Sequence, residues 1–161
     1  MTERGRDPAE RGILRLFYRD WRPTRLGRIA NRLTEWWASK GLPPRFQQTL
    51  EVRGRKSGQI RSTPVVVTTV EGERYLVAML GPDSEWVKNV RAAGGEAALR
   101  HGGRQPVRLE EVPPEQRAPV LAEYVRIATS GRRHIPVAPG ASLAEFDAVA
   151  HLYPVFRIAS R

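Results

Sequence analysis

Between Thr49 and Val112 the chain is divided into short runs rich in β-branched and apolar residues, Thr49–Arg53, Thr63–Val70, Arg74–Leu80, Glu96–His101 and Arg104–Val112. Two of the breaks, Glu71-Gly72-Glu73 and Gly102-Gly103, are far too short for a crossover, which needs a dozen or more residues. The runs they join must therefore pair as antiparallel hairpins. Asp83 or Ser84 caps an expected helix to about Ala93, with Trp86, Val87 and Val90 on its apolar side and Gly94-Gly95 at its end. A second helix is expected from Pro113-Pro114 to about Ser130, on the spacing of Val120, Leu121, Tyr124 and Ile127. A third is expected from Ser142 to His151, with Glu145 in the capping-box position. Ile135 to Pro139 reads as an edge strand or a loop, and Tyr153 to Ile158 as a closing strand. The sum is a mainly β chain with helices, an α+β protein of about six mostly antiparallel strands. It favours a small barrel over a doubly wound sheet.

The N-terminal part has a different period. Arg11 to Trp21 and Thr24 to Ser39 repeat apolar residues at helical spacing (Leu14, Phe17 and Trp21, then Leu26, Ile29, Leu33, Trp36 and Trp37), with arginines beside them. Gly41-Leu42-Pro43-Pro44 ends the pattern. The domain expectation is a basic amphipathic arm over residues 1–24 and a single barrel domain over 25–161. At 161 residues the chain fits one core, and it contains no cysteine, so packing alone must hold it together. No run approaches the ~20 apolar residues that cross a bilayer, and the charged start lacks the apolar stretch of a secretory signal. A cytoplasmic location is expected, with peripheral attachment of the Arg-rich, Trp-bearing arm to an anionic inner membrane face as the variant.

The charge is lopsided. Residues 1–61 hold 15 Lys/Arg against 6 Asp/Glu, so nearly all of the net +10 lies there. That excess is the only support for nucleic-acid binding, and Tyr75 is the sole aromatic from Thr63 to Leu80, where a stacking platform wants several. A nucleic-acid module is disfavoured. Of the 27 basic residues 24 are arginine, so Lys40, Lys56 and Lys88 carry more information than any single arginine.

Lys56 lies in Arg53-Gly54-Arg55-Lys56-Ser57-Gly58-Gln59-Ile60-Arg61, between two expected strands. Two glycines admit close backbone approach, Ser57 and exposed N–H groups donate hydrogen bonds, and Arg55, Lys56 and Arg61 are cationic donors for phosphate or carboxylate. These are the parts of an anion cradle, although the same composition also describes a solvated hairpin turn. Neither the nucleotide P-loop nor the dinucleotide glycine fingerprint is present. The three histidines, His101, His134 and His151, have no metal-ligand spacing, and no metal site is expected.

The turn, Arg61 and Thr63-Pro64, followed by Trp86, Asn89 and Arg91 ahead of Gly94, resembles the deazaflavin-dependent nitroreductase family over roughly Leu26 to Ile158. The resemblance implies a split β-barrel, similar to the FMN-binding split barrels, and the deazaflavin coenzyme F-420, with FMN as the runner-up. It implies that Lys56 and Arg61, with Arg55 and Ser57 nearby, hold the phosphodiester and glutamate tail. Pro64, Val65 and Val66 would meet the polar edge of the ring system, Ala78, Met79, Leu80 and Gly81 would flank it, and Trp86 and Asn89 would close the pocket. Arg91 adds a second cation or is a surface helix residue.

Reduced deazaflavin donates a hydride, so the cofactor carries the chemistry and no triad is required. Tyr124, His134 and Tyr153 are the candidate proton donors, with packing the competing role for Tyr124 and water the competing source. The apolar stretches Val65-Val66-Val67 and Met79-Leu80 suit a hydrophobic electron-poor acceptor such as a quinone, an enone or a nitroaromatic. A non-catalytic carrier of a deazaflavin, flavin or apolar ligand is the rival reading. Oligomeric state is left open.

Overall fold

The computed structural model describes residues 46–160 and, ahead of them, only the backbone of a two-stranded pair. In that pair β1 (Tyr18–Arg19) runs antiparallel to β2 (Arg22–Pro23), with Tyr18 opposite Pro23. This corrects the expectation of a helix to Trp21: Pro23 cannot continue a helix, and Tyr18 and Arg19 take the extended conformation that pairing across it requires. The rest of the expected arm over 1–24 and the helix from Thr24 to Ser39 lie outside the described residues.

Six strands close a barrel in the order β3-β4-β5-β8-β7-β6, every neighbouring pair antiparallel. They are β3 (Gln47–Arg53), β4 (Ile60–Val70), β5 (Glu73–Val77), β6 (Glu96–Arg100), β7 (Arg104–Glu111) and β8 (Val155–Ser160). Glu71 and Gly72 both take positive φ, 51° and 82°, which twists the two-residue β4–β5 turn in the sense its strands need. Closure is completed by the last strand, since β8 pairs with β5 on one side and β7 on the other.

Two apolar clusters share this sheet. Leu50, Val52, Leu76, Leu99, Val107, Phe156 and Ile158 belong to one cluster together with Val87 and Val90 of α1 (Glu85–Ala92). At about 1.5–3 kcal/mol for each fully buried aliphatic side chain, those two valines suffice to seat the helix on the barrel. The other cluster joins Val77 and Val155 to α2 (Ala118–Ile127) and α3 (Leu143–Val149) through Leu121, Tyr124, Val125 and Phe146. The capping box opens α3 as its sequence predicts: the Glu145 carboxylate accepts from the Ser142 backbone N–H at 2.9 Å and from its hydroxyl at 2.8 Å. Arg117 lies buried between these helices. Its guanidinium donates to the carbonyls of Val112, Ala150 and Tyr153, so the charge is desolvated yet hydrogen-bonded.

Several element bounds differ from expectation, and two have a clear physical reason, while the open alternative at Ile135 to Pro139 is settled as a loop. β5 stops at Val77 rather than Leu80: opposite Ala78 in the β5–β8 register stands Pro154, which accepts from the Ala78 N–H but has no N–H to continue the ladder, and Gly81, at φ 86°, turns the chain. The second helix begins as a 3-10 turn over Pro114–Gln116 and ends at Ile127, where Ala128 leaves helical geometry at ψ 79°. Ile135 to Pro139 is a loop behind a 3-10 turn at Gly131–His134. Among the described residues no helix is long and apolar enough to cross a membrane.

Candidate functional site

The Gly54–Gln59 segment is the loop of the β3–β4 hairpin, closed at its base by the Arg53–Ile60 pairing. Two backbone bonds tighten it further: Gly54 N–H donates to the Gln59 carbonyl at 2.7 Å, and Gly58 N–H to the Gly54 carbonyl at 2.8 Å. Gly58 sits at φ 68°, where a side chain is strained, and Arg53 donates to its carbonyl at 3.1 Å. A Cβ on Gly54 would stand 3.1 Å from both the Gln59 carbonyl oxygen and Ser57 Oγ, so any larger residue there would push the loop open by a few tenths of an ångström. Ser57 Oγ accepts from the Gln59 N–H at 3.3 Å.

The loop is docked on α1. Asn89, a buried residue on that helix, offers its amide oxygen to Arg55 twice, to the backbone N–H at 3.1 Å and to Nη1 at 3.0 Å. Glu85, one turn earlier, takes the Arg55 guanidinium at 2.8 and 3.3 Å. That hydrogen bond holds the Glu85 carboxyl below the usual carboxylate range, with the charges of Arg55, Lys56 and Lys88 adding to it. Trp86 packs on Phe156 with ring centroids 5.4 Å apart, which fixes the indole between the barrel and the loop. Replacing Asn89 by alanine deletes the acceptor for both Arg55 donors. We expect it to lower unfolding free energy by about 1–2 kcal/mol in denaturant titrations, since a partly buried donor loses its partner.

Between loop and helix lies a cleft of about 340 Å³ lined by Gly54 to Ser57, Arg61 to Thr63, Glu85, Trp86 and Asn89. The structure thus brings together Gly54, Arg55, Lys56, Ser57, Arg61, Thr63, Trp86 and Asn89 of the expected coenzyme residues. Arg55 is already committed to Glu85 and Asn89, whereas the side chains of Lys56 and Arg61 take no hydrogen bond or ion pair among the described residues. Arg53 and Gly58 brace the loop, and Pro64, Val65 and Val66 continue β4 beyond the cleft lining. Arg91 is held on the helix by a two-pronged bond to Glu111 at 2.9 and 2.7 Å, outside the lining. Ser62 and Glu85 line the cleft although residue pattern assigned them nothing. Ser62 had no signal, while Glu85 stands one helical turn before Asn89, where helix periodicity alone puts it on the same face.

Ala78 to Gly81 form the turn after β5, in which Leu80 is 52% exposed. Tyr124 reaches this turn from α2, its hydroxyl donating to Met79 Sδ at 3.1 Å, over a glycine, Gly131, whose Cβ would stand 2.1 Å from that hydroxyl. The Tyr153 hydroxyl donates to the His134 carbonyl at 2.7 Å. Burial holds the His134 imidazole below its ordinary pKa, helped by the Arg133 charge, and pushes the Tyr124 hydroxyl up to about 12. An unfolded tyrosine ionises near pH 10, so the stabilisation due to neutral Tyr124 is complete below that pH and is lost as pH rises through 12. At 1.36 kcal/mol per unit this amounts to about 2–3 kcal/mol, and Tyr124→Phe is expected to flatten that alkaline limb of the stability curve.

A six-stranded antiparallel barrel with a glycine-backed, cation-lined hairpin cleft is the frame of a small coenzyme-binding barrel. Residues 31–137 match the F420H(2)-dependent quinone reductase family, two thirds of the chain, and the chain belongs to that family. It is a deazaflavin-dependent oxidoreductase, and coenzyme F-420 is its cofactor. Among solved structures, one described as a domain-swapped dimer is 20% identical, with a TM-score of 0.53 over 83% of this chain and 96% of its own. A conserved hypothetical protein from Mycobacterium tuberculosis is 18% identical, with a TM-score of 0.51 over 71% of this chain and 72% of its own. At these identities the likeness is one of fold. None of the curated proteins matches the chain.

The residues present fit the coenzyme. Its phosphodiester and carboxylate tail calls for cationic and N–H donors on a backbone that can be approached closely, and the cleft supplies Lys56, Arg61 and the Gly54 loop.

Proposed function

We propose that the protein reduces a hydrophobic, electron-poor acceptor, with quinones, enones and nitroaromatics as the substrate class, while the hairpin cleft holds the coenzyme tail. The observation that carries this reading is the pair of cations, Lys56 and Arg61, whose side chains are unengaged among the described residues and face a cleft whose other cation, Arg55, is already neutralised by Glu85. Lys56 and Arg61 bind the anionic tail, and Ser57, Ser62 and Thr63 donate hydroxyl bonds beside them. Trp86, fixed by Phe156, shields the cleft from water on the helix side. The bound coenzyme supplies a hydride when reduced.

Acceptor preference follows from the chain's own side chains. Val65, Val66, Met79 and the exposed Leu80 are apolar, so an acceptor without charge is favoured near them. The proton is taken from solvent, because the Tyr124 and Tyr153 hydroxyls are each spent on a partner inside the protein and Tyr124 is a weak acid there. Steady-state oxidation of reduced coenzyme F-420 against a panel of quinones, enones and nitroaromatics tests this. Turnover that rises with acceptor hydrophobicity is expected; a panel in which only charged, hydrophilic acceptors react would sink it.

A further inference from the structure

The ion pair inside the cleft has its own consequence for binding, one that rests on the tail-binding reading above. Arg55 is held twice by the Asn89 amide oxygen, through its backbone N–H and through Nη1. Its position is therefore set without help from Glu85. Glu85 adds the fork, at 2.8 and 3.3 Å, from a side chain 74% exposed, whereas that of Arg55 is only 24% exposed. A carboxylate so open to water loses little on release, since exposed pairs of this kind contribute at most about 1 kcal/mol.

We propose that Glu85 is the cleft's internal competing anion: its carboxylate occupies the Arg55 fork that an anionic ligand takes, and the ligand displaces it. The location supports this, because Glu85 lines the same cleft as Arg55, Lys56 and Arg61 and lies within the field of Arg55, Lys56 and Lys88. An anion placed there is stabilised whether it belongs to the chain or to a ligand. The device also selects. A ligand with one anionic group satisfies Lys56 or Arg61 and leaves Glu85 seated, whereas a tail with several anionic groups gains the Arg55 fork as well and offsets the lost internal pair. Neutral or singly charged ligands meet the Glu85 carboxylate as a repulsive or indifferent wall.

The test uses the whole protein as wild type, Glu85→Gln, Arg55→Gln and Lys56→Ala, titrated with oxidised coenzyme F-420 by fluorescence and with inorganic tripolyphosphate by calorimetry. Glu85→Gln is expected to tighten both ligands by about three- to tenfold, and Arg55→Gln to weaken both. Glu85→Asp keeps the charge and should not tighten either. Weaker or unchanged binding in Glu85→Gln overturns the proposal and makes Glu85 a brace for the arginine. If coenzyme binds and depends on Lys56 while Glu85→Gln fails to tighten it, only the competing-anion role falls. If tripolyphosphate binding tightens while the coenzyme is ignored, the competing anion stands and the tail-binding reading falls. Failure of both probes on every variant rejects both.

Discussion

Gly95→Ala is expected to destabilise the protein by about 3–5 kcal/mol, enough to bring a domain of this size close to unfolding. A Cβ at this position would stand 2.4 Å from the Leu109 carbonyl oxygen, which is backbone in β7 and cannot rotate away. The conformation is also closed to side chains, with φ at 85°. Gly95 cannot shift to relieve this, because its N–H donates to the Val90 carbonyl, its own carbonyl accepts from the Leu109 N–H, and the preceding Gly94 N–H donates to the Arg91 carbonyl. This is a helix C-terminus of the Schellman type, locked onto a strand. Gly94 is the control. It has φ 62°, but a Cβ there would meet nothing within 4 Å, so Gly94→Ala should cost only about 1–2 kcal/mol. Equilibrium unfolding in urea of both variants checks the difference. Near-equal losses would mean that the contact with Leu109 yields.

The second large effect lies in the cleft. The double substitution Lys56→Ala, Arg61→Ala should weaken binding of oxidised coenzyme F-420 by about a hundredfold to a thousandfold, as two charge-assisted contacts are removed. Thermal stability should hardly move, because neither side chain has a hydrogen bond or ion pair among the described residues to lose. Fluorescence titration beside a melting curve separates the two readouts. Binding retained at wild-type strength would place the coenzyme tail elsewhere on the barrel. Flavin mononucleotide titrated in parallel shows whether the cleft distinguishes a deazaflavin tail from a single phosphate.

Legibility differed from element to element for physical reasons. The hairpins at Glu71-Gly72 and Gly102-Gly103 were readable because turn chemistry is local, as was the Ser142/Glu145 cap, whose partners lie three residues apart. The start of α1 at Ser84 was readable too, but not its expected cap: the Ser84 hydroxyl donates to the Gly81 carbonyl at 2.8 Å and caps no helix N–H. The end of β5 was not readable, since Met79 and Leu80 carry apolar side chains that suit a strand and the ladder ends at Pro154, a partner 76 residues away from Ala78 that has no N–H to offer. Arg117 and Glu51 were equally silent. One is buried beneath three carbonyls and the other is bound by Arg100 and Arg104, partners contributed by remote segments.

The cleft divides the same way. Its cationic, glycine-bounded loop is a contiguous run, so residue types and spacing were enough to mark it as a candidate anion site and to carry the family resemblance. The sequence by itself thus determined the antiparallel hairpins, the capping box of α3 and the chemistry of the turn, all of which depend on neighbours within a few residues. Tertiary structure alone decided which cation is spent and which is available. Arg55, Lys56 and Arg61 are near-equals in the chain, yet folding brings α1 against the hairpin and gives Arg55 to Glu85 and Asn89, 30 and 34 residues away. A closing strand near the end of the chain was legible from its residues, but which strands it joins, β5 on one side and β7 on the other, was a long-range choice that buries Phe156 and Ile158.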